Sequence, residues 1–133
     1  MYQSLLVPLD GSTFGEQALP LALSIARRAG AALKVMHVHS PLAAVYVDSP
    51  AYYDAALDLH LKKQQQAYLD GVVQRLRDAS SVHVTAELLE GQAAEAIRAL
   101  ASSTGVDLVV MTTHGQGPSG ARNRARRVTL FDR

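Results

Sequence analysis

Four short apolar runs, each ended by a turn signal, limit the possible folds more than any other feature of this sequence. They are rich in leucine, valine and alanine, and they lie at Gln3–Leu9, Ala32–Val38, Val82–Leu89 and Val106–Met111. Short runs of this kind are typical of strands buried within a sheet. The sequence therefore predicts four strands, the first of which ends in the turn Asp10-Gly11-Ser12.

Amphipathic stretches fill the intervals between these runs. Apolar residues recur there at helical spacing, which predicts helices over Phe14–Ala29, Asp54–Arg77 and a third segment that begins at Ala93. Thr13 and Glu16 match a capping box at the start of the first helix, and Pro20 predicts a kink within it. The order β-α-β-α-β-α-β requires crossover connections, so we expect an α/β fold with a Rossmann-like open parallel sheet and helices on both faces.

The second helix is expected to be more regular than the segment before it. Leu57, Leu61 and Leu69 lie on its apolar stripe and are predicted to face the core. Residues 42–53 show no sustained period and contain three tyrosines, which predicts a weakly ordered loop. These tyrosines could fold over a ligand base or form a subunit contact, but ordinary packing is favoured.

Length and composition are those of one globular domain. The 133 residues have a mass of 14.3 kDa, 48% apolar residues and a net charge of +1. A single domain over residues 1–133 has enough apolar side chains for a core, and its balanced charge gives no global attraction to nucleic acid or to a membrane. The sequence has no cysteine, which excludes a disulfide framework, a thiolate metal site and a cysteine nucleophile.

The amino-terminal segment has no features of a targeting signal. MYQSLLVPLD lacks a basic leader, and Asp10 interrupts its apolar run. A signal peptide or a membrane span would need both a longer apolar stretch and different flanks. We therefore expect a cytoplasmic protein.

Residues 118–133 form an atypical basic tail. Arg122, Arg124, Arg126 and Arg127 lie close together within it. Such a cluster could bind nucleic acid or an acidic partner, or could hold the phosphates of a nucleotide. Because no aromatic residues interleave with the arginines, a solvated and partly disordered tail is favoured, and nucleic acid is not an expected partner.

Three segments are expected to meet at the carboxyl edge of the sheet, where open α/β folds bind ligands. They are Pro8–Ser12, Val38–Ser40 and Met111–Gly117. The first leads into a helix N-terminus, whose free amides favour an anion such as phosphate, and the third contains glycines that let the backbone approach a ligand. Neither the P-loop pattern nor G-x-G-x-x-G is present, so P-loop hydrolysis and conventional dinucleotide binding lack support.

The same segments resemble those of the universal stress protein family. The resemblance is carried by V-P-L-D-G-S after the first strand, H-V near the end of the second, E-G-Q-A-A-E-A-I before the third helix and V-D-L-V-V-M-T-T-H-G-Q-G at the end of the fourth strand. It runs from about residue 2 to residue 117. It implies strand order 3-2-1-4-5, ATP or AMP binding, usually as a homodimer, and a role in stress survival without dedicated turnover.

The resemblance also implies roles for single residues. In ATP-binding members, the residue that matches Asp10 lies beside the ribose and phosphates, and the residue that matches Val38 meets adenine through its backbone. The implied cofactor is ATP or AMP, with Mg²⁺ only as part of a nucleotide complex. The expected binding residues are Pro8, Leu9, Asp10, Ser12, Val38, Met111, Thr112, His114, Gly115 and Gly117.

The carboxyl-terminal part departs from the family pattern G-x2-G-x9-G-[ST]. Thr112 stands at the first glycine and Gly115 at the second, while Ala125 and Arg126 replace the final Gly-Ser. The last helix and the fifth strand are missing or reduced to Val128–Phe131. Family members commonly build their dimer contact from the fifth strand, so the homodimer is expected without this usual contact. The main hypothesis is therefore an adenine-nucleotide-binding stress-response protein with an unknown protein partner, and the alternative is a nucleotide-free dimerisation or scaffold module that has lost phosphate binding.

Catalytic and metal chemistry have little support in the sequence. His37 and His39 share a face of the second strand, but no third ligand lies near them in sequence, so no metal site is expected. Ser12, His114 and Asp10 do not form the G-x-S-x-G pattern of a serine hydrolase. No catalytic residue is therefore expected, and slow ATP hydrolysis incidental to binding stays open.

Overall fold

The computed structural model describes residues 2–40, 55–115 and 125–132. Its strands are β1 Ser4–Leu9, β2 Ala32–His39, β3 Val84–Glu90, β4 Leu108–Gly115 and β5 Ala125–Asp132. Its α-helices are α1 Leu19–Ala29, α2 Ala55–Ala79 and α3 Ala93–Ser103. The predicted alternation of four strands and three helices is confirmed.

The strands form one sheet in the order β3-β2-β1-β4-β5. The first four are parallel, which confirms the predicted Rossmann-like order 3-2-1-4. β1 is central, with Val7 opposite Val35 of β2 and Leu5 opposite Leu108 of β4. Because these four strands run the same way, their carboxyl ends lie together along one edge of the sheet, here called the carboxyl edge.

β5 corrects the prediction that the fifth strand is missing or shortened. It runs antiparallel to β4, with Gly115 opposite Ala125 and Leu108 opposite Asp132. The prediction of a partly disordered basic tail is therefore wrong for residues 125–132, whereas residues 116–124 lie outside the described residues. Basic composition does not exclude a strand here, because charged residues are common on edge strands.

Apolar side chains cover both faces of the sheet. α1 and α2 pack over the larger cluster, whose members include Leu5, Val7, Leu33, Val35 and Leu69. α3 packs on the opposite face, over a smaller cluster that consists of Leu6, Met36, Leu100 and Val106. Alternate residues of β1 thus enter different layers, as expected for a strand buried on both sides. The predicted helices on both faces are confirmed.

The first helical segment begins differently from the prediction. Gly15–Ala18 form a 3-10 helix, and α1 starts only at Leu19. Phe14 holds the N-cap position without a side-chain bond, and the Gly15 N–H donates to Ser12 Oγ at 3.2 Å. The predicted capping box is therefore wrong, because Ser12 rather than Thr13 accepts the hydrogen bond from the Gly15 amide.

Pro20 also has a different effect from the one predicted. It lies in the first turn of α1 rather than in a helix interior. A proline in a first turn removes an N–H that has no partner within the helix. The expected kink is therefore replaced by a change from 3-10 to α-helical geometry just before Pro20.

α2 agrees with the prediction except at its start. Leu69 is fully buried and Leu61 is half-buried, but Leu57 is 46% exposed and does not join the core. The predicted loop at residues 42–53, with its tyrosines, lies outside the described residues. Within the described ranges, none of the helices combines the length and the apolar character that a bilayer crossing requires.

Candidate functional site

A cleft of about 240 Å³ lies at the carboxyl edge, where β1, β2 and β4 end beside the start of α3. Six of the predicted binding residues line it: Pro8, Leu9, Asp10, Val38, Met111 and Thr112. Five further residues line it that sequence reasoning missed: Gly15, Met36, His37, Ala93 and Ile97. The structure thus brings the predicted ends of three strands together around one concave space.

The turn after β1 is held by the side chain of Asp10. Asp10 Oδ1 accepts hydrogen bonds from the Ser12 N–H at 2.9 Å and from Ser12 Oγ at 2.5 Å. Gly11 between them has a φ of 86°, which glycine adopts without strain. Ser12 is outside the cleft lining and acts on it through this turn. The side chain of Asp10 thus forms an Asx turn, which shapes the corner between β1 and the 3-10 helix.

These hydrogen bonds keep the Asp10 carboxyl ionised. Desolvation by itself would raise the pKa of Asp10, but the hydrogen bonds from Ser12 Oγ and from the Ser12 N–H outweigh it, so the pKa lies below its ordinary value. An ionised carboxylate only accepts hydrogen bonds. Asp10 is therefore suited to bind hydroxyl groups of a ligand, and it repels a bare phosphate.

The Asp10 carboxylate occupies space that is free only because residue 15 is a glycine. A Cβ at Gly15 would lie 2.6 Å from Asp10 Oδ1 and 3.2 Å from its Cγ. Gly15 is buried and lies in the first turn of the 3-10 helix. Sequence reasoning did not identify it, because the need for a glycine comes from a contact with a residue five positions earlier and not from a positive φ.

A side-chain hydrogen bond connects the end of β2 to the end of β1. His37 Nδ1 lies 2.8 Å from the Leu9 carbonyl oxygen. Because a carbonyl only accepts, Nδ1 carries a proton in this bond, and Nε2 is an acceptor when the ring is neutral. His37 also lines the cleft, so it brings a second polar group near Asp10. The H-V signal that pointed to Val38 therefore marks two cleft residues.

The end of β4 corrects the prediction of a glycine-rich loop over Met111–Gly117. Thr112, His114 and Gly115 belong to β4, which pairs with β5 as far as Ala125. The consecutive β-branched residues at 112 and 113 favour this extended conformation. Gly117 lies outside the described residues. The backbone that was expected to cradle a ligand is thus partly used in the ladder between β4 and β5.

Thr112 still connects β4 with the cleft. Its Oγ1 donates a hydrogen bond to the Gly15 carbonyl at 3.4 Å, which ties β4 to the 3-10 helix.

Across residues 2–40, 55–115 and 125–132, no three histidine, aspartate or glutamate side chains are close enough to hold a metal. The described part of the cleft therefore has a mostly apolar lining, to which Asp10, His37 and Thr112 add polar side chains.

Comparison with known proteins identifies the family. A sequence profile of the universal stress protein family matches residues 1–129. The chain is also 30% identical, over 121 residues, to a Thermus aquaticus protein described as the universal stress protein in the QAH/OAS sulfhydrylase 3′ region. The aligned part covers 91% of this chain and 84% of that protein.

Solved structures agree with this relationship. A universal stress protein family member from Burkholderia pseudomallei is 30% identical, with a TM-score of 0.72 over 85% of this chain and 83% of that one. A universal stress protein in complex with cAMP has the same fold, with a TM-score of 0.63 and 22% identity over 90% of this chain and 79% of that one. Because the family profile extends over nearly all residues, the chain belongs to the universal stress protein family.

Proposed function

We propose that the protein binds an adenine nucleotide in the cleft at the carboxyl edge and acts in the stress response as a regulator, without dedicated catalysis. The observation that carries this proposal is the cleft itself, which combines apolar walls with one ionised carboxylate. The family to which the chain belongs is generally regulatory and non-catalytic. We also propose that the protein is cytoplasmic and acts on its partner as a homodimer.

The apolar walls of the cleft suit the flat faces of an aromatic base. Met36, Val38, Ile97 and Met111 supply aliphatic and thioether surface. Methionine adapts its shape to an aromatic ring and makes favourable sulfur–aromatic contacts. In this proposal the base lies against these side chains, and the backbone of Val38 provides its hydrogen bonds.

Asp10 suits the ribose. Its carboxylate accepts hydrogen bonds and lies at the rim of the cleft, so it pairs with ribose hydroxyls rather than with phosphate oxygens. The cleft volume of about 240 Å³ is below the roughly 300–1,000 Å³ typical of small-molecule pockets. In this proposal the base and ribose fill the cleft, and the phosphates extend along the rim.

The phosphate part of the ligand is where this chain differs most from the family pattern. Ala125 and Arg126 replace Gly-Ser, and both lie in β5. This observation favours the second candidate, a nucleotide-free dimerisation or scaffold module. The two candidates differ in one measurable property, which is whether adenine nucleotides stabilise the folded protein.

A thermal-shift titration separates the two candidates. ATP, AMP, cAMP and adenosine are titrated to millimolar concentration against the wild-type protein. A ligand at ten times its Kd stabilises the native state by about 1.4 kcal/mol, which corresponds to a rise of roughly 3–5 °C in Tm. Absence of a shift with all four ligands would overturn nucleotide binding and support the scaffold module.

Substitution of Asp10 tests the assigned ribose contact. Asp10→Ala is expected to weaken binding of ATP and adenosine equally, by about tenfold, because it removes a charged acceptor from the ribose. Asp78→Ala serves as the control, since it removes the same charge from an exposed position in the last turn of α2. Unchanged affinity in Asp10→Ala would remove Asp10 from the site.

Restoration of the family residues tests the phosphate contact. The double variant A125G/R126S is expected to tighten ATP binding and to leave adenosine binding unchanged. Equal ATP affinity before and after would show that the replaced Gly-Ser is not the deficit. Weaker ATP binding would instead assign the phosphate contact to Arg126.

A further inference from the structure

A polar cluster lies under the start of α2, outside the cleft lining, and its centre is the buried pair His39 and Asp58. His39, the last residue of β2, is 1% exposed, and Asp58 in the first turn of α2 is 4% exposed. His39 Nε2 lies 2.7 Å from Asp58 Oδ1, and its Nδ1 lies 2.8 Å from Gln65 Oε1. One imidazole ring therefore ties the end of β2 to two different turns of α2.

The cluster extends to β3 through Lys62. The Lys62 ammonium lies 3.6 Å from Asp58 Oδ2 and forms an ion pair with Glu90, the last residue of β3. Its hydrogen bond with Glu90 raises the pKa of Lys62, so the ammonium stays charged. His39 and Glu90 are also opposite each other in the β2–β3 ladder. The cluster thus joins α2 to both strands at the carboxyl edge.

His39 is directly linked to two walls of the cleft. It follows Val38, which lines the cleft, and its carbonyl accepts a hydrogen bond from the Gly91 N–H at 3.0 Å. Gly91 leads into α3, whose first turns carry Ala93 and Ile97 to the opposite wall. A shift of His39 would therefore move Val38 and the start of α3 together.

We propose that the buried His39–Asp58 pair positions two walls of the cleft. It holds the end of β2, which carries Val38, and it holds the start of α3 through the hydrogen bond to Gly91. His37 fastens the same strand end from the other side through Leu9. Val38 thus lies between two histidines that hold it in place. The part of this inference that concerns ligand affinity rests on the proposed nucleotide binding.

The test replaces the pair by apolar residues of similar shape. Replacing both members of a buried hydrogen-bonded pair by apolar residues of similar shape is often neutral for stability, whereas removing one partner leaves a buried polar group without its bond. The double variant H39L/D58L therefore removes both members of the pair, and Lys62 keeps its ion pair with Glu90. Gln65, which is half-buried, loses its contact with His39 Nδ1. The control is K34L/E87L, because Lys34 of β2 and Glu87 of β3 form a 3.2 Å ion pair at a half-buried position, and neither residue lines the cleft.

Three measurements are made on each variant: Tm, the Kd for ATP, and amide hydrogen exchange. In H39L/D58L we expect a Tm close to that of the wild type, a Kd for ATP about tenfold higher, and about tenfold faster exchange of the Gly91 amide. The Leu33 amide, which donates to the His83 carbonyl at the other end of β2 (2.9 Å), is the internal reference and keeps its rate. In the control variant K34L/E87L we expect a wild-type Kd for ATP and wild-type exchange of the Gly91 amide. Its Tm should change only by the small amount that loss of a surface ion pair causes.

The exchange measurement needs no ligand, so it separates this inference from the proposed function. If the wild type does not bind ATP, the proposed function fails, and Gly91 exchange still decides the positioning role. Unchanged Gly91 exchange in H39L/D58L would overturn that role. Faster Gly91 exchange with unchanged ATP affinity would also overturn it, because the fastening would then not reach the cleft.

A conservative variant covers the case in which H39L/D58L does not fold. Asp58→Asn keeps an oxygen in the place of Oδ1 that can accept from His39 Nε2, whereas Asp58→Ala removes it. We expect Asp58→Asn to keep Gly91 exchange and ATP affinity near wild-type values and Asp58→Ala to change both by about tenfold. Equal behaviour of the two variants would overturn the proposal.

Discussion

At the scale of single residues, the carboxyl edge depends on a close contact between Asp10 and Gly15. The contact leaves no room for a Cβ at Gly15, and the carboxylate that occupies this space organises the turn through Ser12. Because the pKa of Asp10 in the folded protein lies below its ordinary value, these bonds stabilise the fold at neutral pH. That contribution is lost as the pH falls through the pKa of the folded state.

The contact predicts a coupled effect of two substitutions. Gly15→Ala is expected to lower the free energy of unfolding by about 1–3 kcal/mol, since its Cβ must displace the carboxylate. In an Asp10→Ala background, Gly15→Ala is expected to lower the free energy of unfolding by a smaller amount. The coupling energy between the two substitutions should be about 1 kcal/mol, and urea denaturation measures it.

Gly71→Ala is the control for this double-mutant cycle. A Cβ at Gly71 would meet nothing within 4 Å, so this variant is expected to be more stable by about 0.5–1 kcal/mol through helix propensity alone. An equal cost of Gly15→Ala with and without Asp10 would contradict the contact.

At the scale of elements, the 3-10 helix is attached to α2 by polar contacts rather than by a cap. Glu16 accepts hydrogen bonds from the Tyr68 hydroxyl at 2.9 Å and from the Arg75 guanidinium at 2.6 Å. Desolvation and then the bond to Glu16 raise the pKa of Tyr68. Its neutral form is therefore favoured in the folded protein, and the stability that this provides is lost as the pH rises above the ordinary tyrosine value of 10.0.

Tyr68→Phe tests this attachment. At pH 7 we expect the variant to be less stable by about 1 kcal/mol, because one hydrogen bond to Glu16 is removed. The difference from the wild type should narrow at about pH 10.5, where the unfolded chain ionises its tyrosine more readily than the folded one. Urea denaturation at both pH values measures it, and a difference that does not change with pH would argue against the bond.

The elements also show what can be predicted from sequence. The four parallel strands follow from apolar runs and crossover lengths, whereas their order was expected from the family resemblance. Six of the residues predicted at the carboxyl edge line the cleft, and their role in binding stays a prediction. The capping box failed because Glu16 has stronger partners on α2, which are distant in sequence. The extent of β4 and the presence of β5 depend on pairing between strands, which local composition does not report. The buried His39–Asp58 pair was missed for the same reason.

At the scale of the whole molecule, Asp107 joins the start of the chain to its last parallel strand. Asp107 Oδ2 accepts hydrogen bonds from the N–H groups of Gln3 at 2.7 Å and Ser4 at 3.0 Å. The Asp107 N–H in turn donates to the Ser4 carbonyl at 2.9 Å. These bonds place β1 beside β4 at the edge of the sheet opposite the cleft.

Asp107→Ala is expected to destabilise the whole domain by about 1.5–3 kcal/mol, the range for hydrogen bonds to a charged group. Amide exchange at Gln3 and Ser4 should rise more than exchange at Leu33, which bonds to His83 instead. Asp107→Asn keeps an acceptor and is expected to lose less stability. Identical exchange at Gln3 in the wild type and in Asp107→Ala would show that the carboxylate does not hold the strand.

The central position of β1 has a consequence during synthesis on the ribosome. The Gln3–Asp107 contact spans 104 positions, so β1 emerges long before β4, its second neighbour in the sheet. At roughly 5–20 residues per second, translation separates the two by about 5–20 seconds. During that interval β1 presents an apolar strand edge without its second neighbour, and such an edge favours aggregation until β4 is available.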